Sequence, residues 1–147
     1  MRKYTLILII FNLIISCSDK DDFIREVYVN IEVPVNQPEF SDLESIGSSI
    51  FITGGVKGII LYHASTNEYK AFDRNCSFEP SNLCSYIDSI NTVIASCNCC
   101  SSKFLIDQNG ISANGPAILP LKEYNTIFSS GIIKITKKMI NIYNTQA

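Results

Sequence analysis

The chain has 147 residues, of which 46% are hydrophobic and 18% charged, and its formal net charge is −2. A chain of this length can form one domain with a hydrophobic core but leaves little room for a second. Its 12 Lys and Arg side chains form no basic cluster, which argues against nucleic acid as a partner because phosphate binding needs a basic face.

An apolar segment opens the chain. Residues 1–16 begin with Arg2 and Lys3, continue apolar to Ile15 and end on Ser16. Such a segment is too short to span a bilayer and is typical of a secretory signal peptide. Its removal takes the formal net charge from −2 to −4, over about 130 residues.

The end of this segment resembles a bacterial lipobox, because residues 14–16 precede Cys17. The resemblance implies that Cys17 is acylated and anchors an outer membrane lipoprotein in the cell envelope, where two acyl chains hold durably. An ordinary signal peptide and an uncleaved anchor are the alternatives. Residues 17–26 would form the lipidated cysteine and a polar tether. Residues 20–22 resemble the surface-export signal of Bacteroidetes lipoproteins, so both the periplasmic side and the cell surface stay open.

From residue 27 onward, strand-sized apolar runs alternate with turn residues. Glycine or asparagine stands in most turns, where it supplies the positive φ that a chain reversal needs. The pattern predicts an all-β domain over 27–140, a small antiparallel sandwich or barrel with function at its hairpin tips, and a tail over 141–147. The predicted strands are 27–33, 49–53, 58–63, 68–72, 92–96, 104–106, 124–128 and 132–136, with a short helical turn within 38–46.

Five of the six cysteines lie within 25 residues, in two loops that each follow a predicted strand. We expect the two loops to face each other. Disulfides form and persist outside the cytoplasm, so a disulfide interpretation competes with a metal site, for which Cys97-x-x-Cys100 has zinc-ligand spacing. The only histidine, His63, is expected to be a core or surface residue. Asp73 and Arg74 are expected to form an exposed ion pair beside the first loop.

The cysteine region contains, in this order, Ala71-Phe72-Asp73-Arg74, Cys76-x-x, Cys97-x-x-Cys100-x-Ser102-x-Phe104, Gly110 and Gly115-Pro116-Ala117-Ile118-Leu119-Pro120-Leu121. This order resembles the Rieske iron-sulfur domain, and the resemblance spans about residues 27–136. In that family two loops, C-x-H and C-x-x-H, bind a 2Fe-2S cluster through two cysteines on one iron and two histidines on the other, and a Gly-Pro-Ala loop covers the cluster.

The resemblance implies a Rieske-like fold with a cluster-binding subdomain. It implies Cys76 and Cys97 as metal ligands, and a disulfide between Cys84 and Cys99 that ties the loops together. The expected role is a membrane-anchored electron-transfer or binding module with a redox or surface protein as partner, and not an enzyme.

The chain departs from the family at both histidines, where it has Phe78 and Cys100. No two-histidine iron can form, and Cys100 becomes the third candidate ligand. Four outcomes stay open. They are a 2Fe-2S cluster held by cysteines with Cys84 as fourth ligand, zinc held by four thiolates, a cluster-free structural or partner-binding domain in which Cys76 pairs with Cys97 or Cys100, and a three-cysteine centre completed by water, Glu79 or an exogenous ligand.

Overall fold

The computed structural model describes residues 24–138, which form ten short strands and one short 3₁₀ helix. The all-β prediction is confirmed. Residues with positive φ stand at the predicted reversals, among them Asn67 (φ 60°) and Gly131 (φ 78°). The elements are β1 (Asn30–Pro34), the 3₁₀ helix (Pro38–Leu43), β2 (Ser49–Ile52), β3 (Ile59–Ser65), β4 (Glu68–Asp73), β5 (Ser89–Asn91), β6 (Ile94–Ser96), β7 (Lys103–Leu105), β8 (Ile111–Asn114), β9 (Glu123–Ser129) and β10 (Ile132–Thr136).

The strands form two antiparallel sheets. The larger sheet has the order β1-β10-β9-β4-β3-β2, and the smaller has the order β5-β6-β7-β8. β9 joins the two halves of the larger sheet by pairing Tyr124 with Ala71 on β4. The smaller sheet is inserted in the chain between β4 and β9, so it forms a separate unit that carries the second cysteine loop.

Strand β3 separates two hydrophobic cores. Ile60 and Tyr62 point into the core that also contains Cys76 and Cys97, whereas the neighbouring Ile59 and Leu61 of β3 point into the opposite core. Successive side chains of a strand point to opposite faces, so a strand buried on both faces reads as a continuous apolar run. The cysteine loops are therefore packed against the face of β3 and β4 that carries Ile60, Tyr62 and Phe72.

The sequence analysis did not predict two of the observed strands. β5 and β8 have three and four residues, with the polar sequences SIN and ISAN, and no apolar alternation distinguishes them from loops. Thr92 has a φ of 57° and lies in the turn between β5 and β6, so the strand predicted from residue 92 begins at Ile94. The other predicted boundaries differ from the observed ones by at most three residues.

The signal segment, Cys17, residues 20–22 and the tail over 141–147 lie outside the described residues. The last residues of the predicted tether are described, and Glu26 forms ion pairs there with Lys122 (3.3 Å) and Lys137 (3.2 Å). Between residues 24 and 138, no helix has the length and apolar character that crossing a membrane requires.

Candidate metal centre

The first cysteine loop leaves the larger sheet at the end of β4. Asn75 forms an isolated bridge with Tyr86, and the Cys76 amide donates a hydrogen bond to the Ser85 carbonyl (3.1 Å). These two pairings close the loop between residues 76 and 85. They hold Cys76 in the core, where its exposure is 0%.

The second cysteine loop is a tight turn after β6. The Cys97 amide donates to the Ser102 carbonyl (2.9 Å), and Ser101 adopts the left-handed conformation with φ 62°. The Asp88 carboxylate accepts hydrogen bonds from the Asn98 amide (2.7 Å) and from the Asn98 side chain (2.8 Å). The turn therefore places Cys97 and Cys100 on the side that faces the first loop.

A third loop packs directly on the second. A Cβ atom at Gly115, where φ is +90°, would stand 2.5 Å from the Ser102 Cα, so only glycine permits this approach. Two residues later, the Ala117 amide donates to the Ser102 Oγ (3.1 Å). The thiol of Cys100 donates to the same Ser102 Oγ, which lies 3.1 Å from the sulfur.

A disulfide between Cys84 and Cys99 ties the first two loops together, across 15 residues of sequence. This is the pair that the family resemblance implied. The other three cysteines of the region, Cys76, Cys97 and Cys100, are free thiols.

The three free thiols converge on one point. Their sulfur atoms all lie within 4.8 Å of one another, and those of Cys76 and Cys100 are 3.5 Å apart. Cys76 and Cys97 are buried and Cys100 is partly exposed. The structure thus brings together the three residues that the sequence nominated as metal ligands.

The three thiols differ in pKa because their surroundings differ. Burial raises the pKa of Cys76 to about 12, and burial also raises the pKa of Cys97. For Cys100, burial is outweighed by hydrogen bonds from the side chain and amide of Ser102 and from the two neighbouring thiols, so its pKa falls below the usual value. Cys100 is therefore the thiol that ionises first.

The donor set does not fit the cluster of the Rieske family. His63, the only histidine of the chain, lies away from the sulfur atoms: its Nδ1 is 2.8 Å from the Leu43 carbonyl oxygen and its ring stacks on Tyr69. An iron bound by two histidines cannot form. Between residues 24 and 138, four thiolates are not available either, because Cys84 and Cys99 are bonded to each other. Three converging thiols leave a two-iron cluster one ligand short.

A cavity of about 130 Å³ opens beside Cys100. It is large enough to hold water or a small ligand next to the sulfur atoms. Glu79, the carboxylate that the sequence analysis proposed as a possible fourth ligand, contributes to its wall. The wall consists of Phe78, Glu79, Asn82, Ser85, Cys99, Cys100 and Pro116.

The expected ion pair of Asp73 and Arg74 is wrong. Asp73 is fully buried and accepts hydrogen bonds from the Tyr124 hydroxyl (2.6 Å) and from the amides of Val56 (2.6 Å) and Asn75 (2.8 Å). Arg74 instead stacks on an aromatic ring and donates to a backbone carbonyl. The sequence analysis also missed Lys57, whose side chain reaches the first cysteine loop. No local motif marks either role, because every partner except the Asn75 amide is 16 or more residues away.

Comparison with known proteins supports the fold and no more. No family model and no curated protein matches the chain. Among solved structures, the chain is similar to one from a complex of reduced oxygenase and oxidized ferredoxin in carbazole 1,9a-dioxygenase, with 13% identity over 80% of this chain and 100% of that one, at a TM-score of 0.51. It is also similar to the ferredoxin of carbazole 1,9a-dioxygenase from Nocardioides aromaticivorans IC177. The identity is 14% over 77% of this chain and 100% of that one, and the TM-score is 0.51. The Rieske-like fold is thereby confirmed.

Proposed function

We propose that this chain is a lipid-tethered envelope protein whose Rieske-like domain binds one soft metal ion through the thiolates of Cys76, Cys97 and Cys100. The observation that carries the proposal is the convergence of the three sulfur atoms within 4.8 Å. Acylation of Cys17 would supply the tether to the outer membrane, on its periplasmic side or at the cell surface. The domain would act as a binding module and not as an enzyme.

The spacing of the sulfur atoms suits a single ion. Zinc binds thiolate sulfur at about 2.3 Å, so two sulfurs on one tetrahedral zinc are about 3.8 Å apart. The separation of 3.5 Å between Cys76 and Cys100, and the limit of 4.8 Å for all three pairs, lie close to that value. Thiolates prefer Zn²⁺, Cu⁺ and iron to harder cations. The cavity beside Cys100 leaves room for a fourth ligand.

Metal binding would also keep the three thiols reduced in an exported protein. Disulfides form and persist outside the cytoplasm, and Cys84 and Cys99 are bonded in this way. A thiol pair 3.5 Å apart would be open to oxidation under the same conditions unless something bound it. A metal ion that occupies the thiolates would protect them.

A second candidate function, electron transfer through a 2Fe-2S cluster, is favoured by the likeness to ferredoxins. The protein partner would then be a redox protein. This candidate needs a fourth cluster ligand beyond the three converging thiols. Fold likeness at 13% identity is weaker support than the donor set, since one fold serves many functions.

Metal and sulfide content distinguishes the two candidates. We expect the full-length chain, exported in a bacterial host and purified without oxygen in detergent, to contain one metal ion and no acid-labile sulfide. Elemental analysis and visible absorption measure both. Two irons with matching sulfide would establish the second candidate instead. A metal-free protein that fails to bind added Zn²⁺ would contradict both.

Metal affinity should rise steeply with pH. The raised pKa values of Cys76 and Cys97 mean that the metal-free protein holds both protons between about pH 6 and pH 8, and metal binding must release them. Each released proton contributes a factor of ten per pH unit, so the zinc affinity should increase about 100-fold or more per unit. Chelator competition at several pH values measures the slope, and a slope below one proton would contradict the assignment of these two thiols.

A further inference from the structure

The side chain of Lys57 is bound inside the first cysteine loop. Its ammonium nitrogen donates hydrogen bonds to the carbonyl oxygens of Pro80 (3.1 Å), Asn82 and Ser85 (3.0 Å). Three carbonyls use all three donors of an ammonium group. Residues 80–85 are therefore wrapped around one cation that comes from a different part of the chain, the turn before β3.

These carbonyls belong to the backbone that positions a metal ligand. The Ser85 oxygen that accepts from Lys57 also accepts from the Cys76 amide (3.1 Å), and the Asn82 oxygen also accepts from the Ser85 amide (3.0 Å). Lys57 is thus linked to Cys76 through a single shared carbonyl. The same loop contains Cys84, one end of the disulfide.

The turn that carries Lys57 is itself held by hydrogen bonds to a buried carboxylate. The amides of Val56 (2.6 Å) and Lys57 (3.4 Å) donate to the buried Asp73 carboxylate, which lies three residues before Cys76. The turn that carries Lys57 is therefore bonded to Asp73, which also leads into the first loop. The lysine is half-buried, so its position is less variable than that of a surface side chain.

The charge of Lys57 is not paired in the usual way. Within residues 24–138, ion pairs are formed by Lys122, Lys134, Lys137 and Lys138, and none by Lys57. Burial lowers the pKa of Lys57, while electrostatic interaction with Cys76, Cys97 and the buried Asp73 carboxylate raises it. The ammonium is therefore placed to interact with these two cysteines once a metal has replaced their protons. Three thiolates around one divalent ion carry a net charge of −1, and an isolated buried charge is costly.

We infer that Lys57 is a positioning residue of the metal centre: it holds the first cysteine loop through three carbonyls and supplies the positive charge that balances the thiolate-bound ion. The inference rests on the proposed function. A residue that organises metal ligands without touching the metal typically contributes a factor of 10 to 100 to metal affinity.

The test compares three variants of the full-length protein in detergent. Lys57→Met should weaken zinc binding about tenfold or more and alter the thiolate-to-metal absorption of the Co²⁺-loaded protein. Lys57→Arg keeps the charge and several donors, and should recover most of the affinity. Lys70→Met is the matched control, because Lys70 also donates to a carbonyl (Asp107, 3.1 Å) and to Asn109 (2.9 Å), away from the cysteines. It should bind zinc like the unmodified chain.

Equal affinities for Lys57→Met and Lys70→Met would overturn the inference, as would a Lys57→Arg variant as weak as Lys57→Met. If Lys57→Met fails to fold, Lys57→Gln takes its place under the same criteria. If the unmodified chain binds neither Zn²⁺ nor Co²⁺, the proposed function is wrong. The positioning role is then decided by alkylation of Cys76 in the metal-free protein, which Lys57→Met should accelerate about tenfold and which an unchanged rate would contradict.

Discussion

Replacing Cys97 with serine should abolish stoichiometric metal binding. Cys97 is buried beside the other two sulfur atoms, and a serine hydroxyl at this position is a far poorer ligand for a soft ion. The free energy of structural zinc binding is shared among a few ligands, so losing one of three should weaken binding by at least about 100-fold. Chelator competition with Zn²⁺ and the Co²⁺ spectrum of the variant measure this effect.

The control removes the other two cysteines together. Replacing Cys84 and Cys99 with serine breaks the bond between the loops but leaves all three converging thiols. A disulfide that closes a loop of this length contributes about 3 kcal/mol to the free energy of unfolding. The double variant should therefore be less stable but still bind one ion. An equal loss of metal in both proteins would show that our division into ligands and brace is wrong.

Replacing Asp73 with alanine should destabilise the fold by about 4 kcal/mol or more. The carboxylate is fully buried and accepts hydrogen bonds from the Tyr124 hydroxyl and from the Val56 and Asn75 amides. Its removal leaves these buried donors without a partner, and each one costs about 1 to 3 kcal/mol. The turn that carries Lys57 also loses the hydrogen bond that the Lys57 amide donates to this carboxylate. Unfolding of the metal-free protein by denaturant measures the loss.

Asp88 provides the matched control. Its carboxylate accepts two hydrogen bonds from Asn98, but it is only partly buried, so water can replace it. Asp88→Ala should cost about 1 kcal/mol. Tyr124→Phe, which removes one of the hydrogen bonds to Asp73, should give an intermediate loss. Equal losses for Asp73→Ala and Asp88→Ala would mean that Asp73 does not organise this part of the fold.

The molecule combines a known fold with a different donor set. The disulfide is the one that the Rieske resemblance implied, the Gly115 loop packs on the second cysteine loop, and the solved structures confirm the fold. The candidate ligands differ, because Phe78 and Cys100 stand where the resemblance places the histidines. A fold specifies where a site can be built, while the residues at the site decide its chemistry.

Much of this could be predicted from the sequence because the relevant signals are local. Alternating apolar residues and turns such as Asn67 and Gly131 determined the all-β class and most strand positions. The spacing of cysteines after two strands predicted that the loops would meet. β5 and β8 were missed because short polar strands have no periodicity of their own and exist only through pairing with their neighbours.

Only the tertiary structure decided which side chains surround the three converging cysteines, and which cysteines of the two loops are bonded to each other. It buried Asp73, which the sequence suggested would be exposed, because Tyr124 reaches it from 51 residues away. It brought Lys57 to a carbonyl 28 residues away and left Cys76, Cys97 and Cys100 as the three unpaired thiols of the described part of the chain. Residue spacing along a strand follows from backbone geometry, but contacts between distant segments depend on how two sheets pack, and that packing is a property of the whole chain.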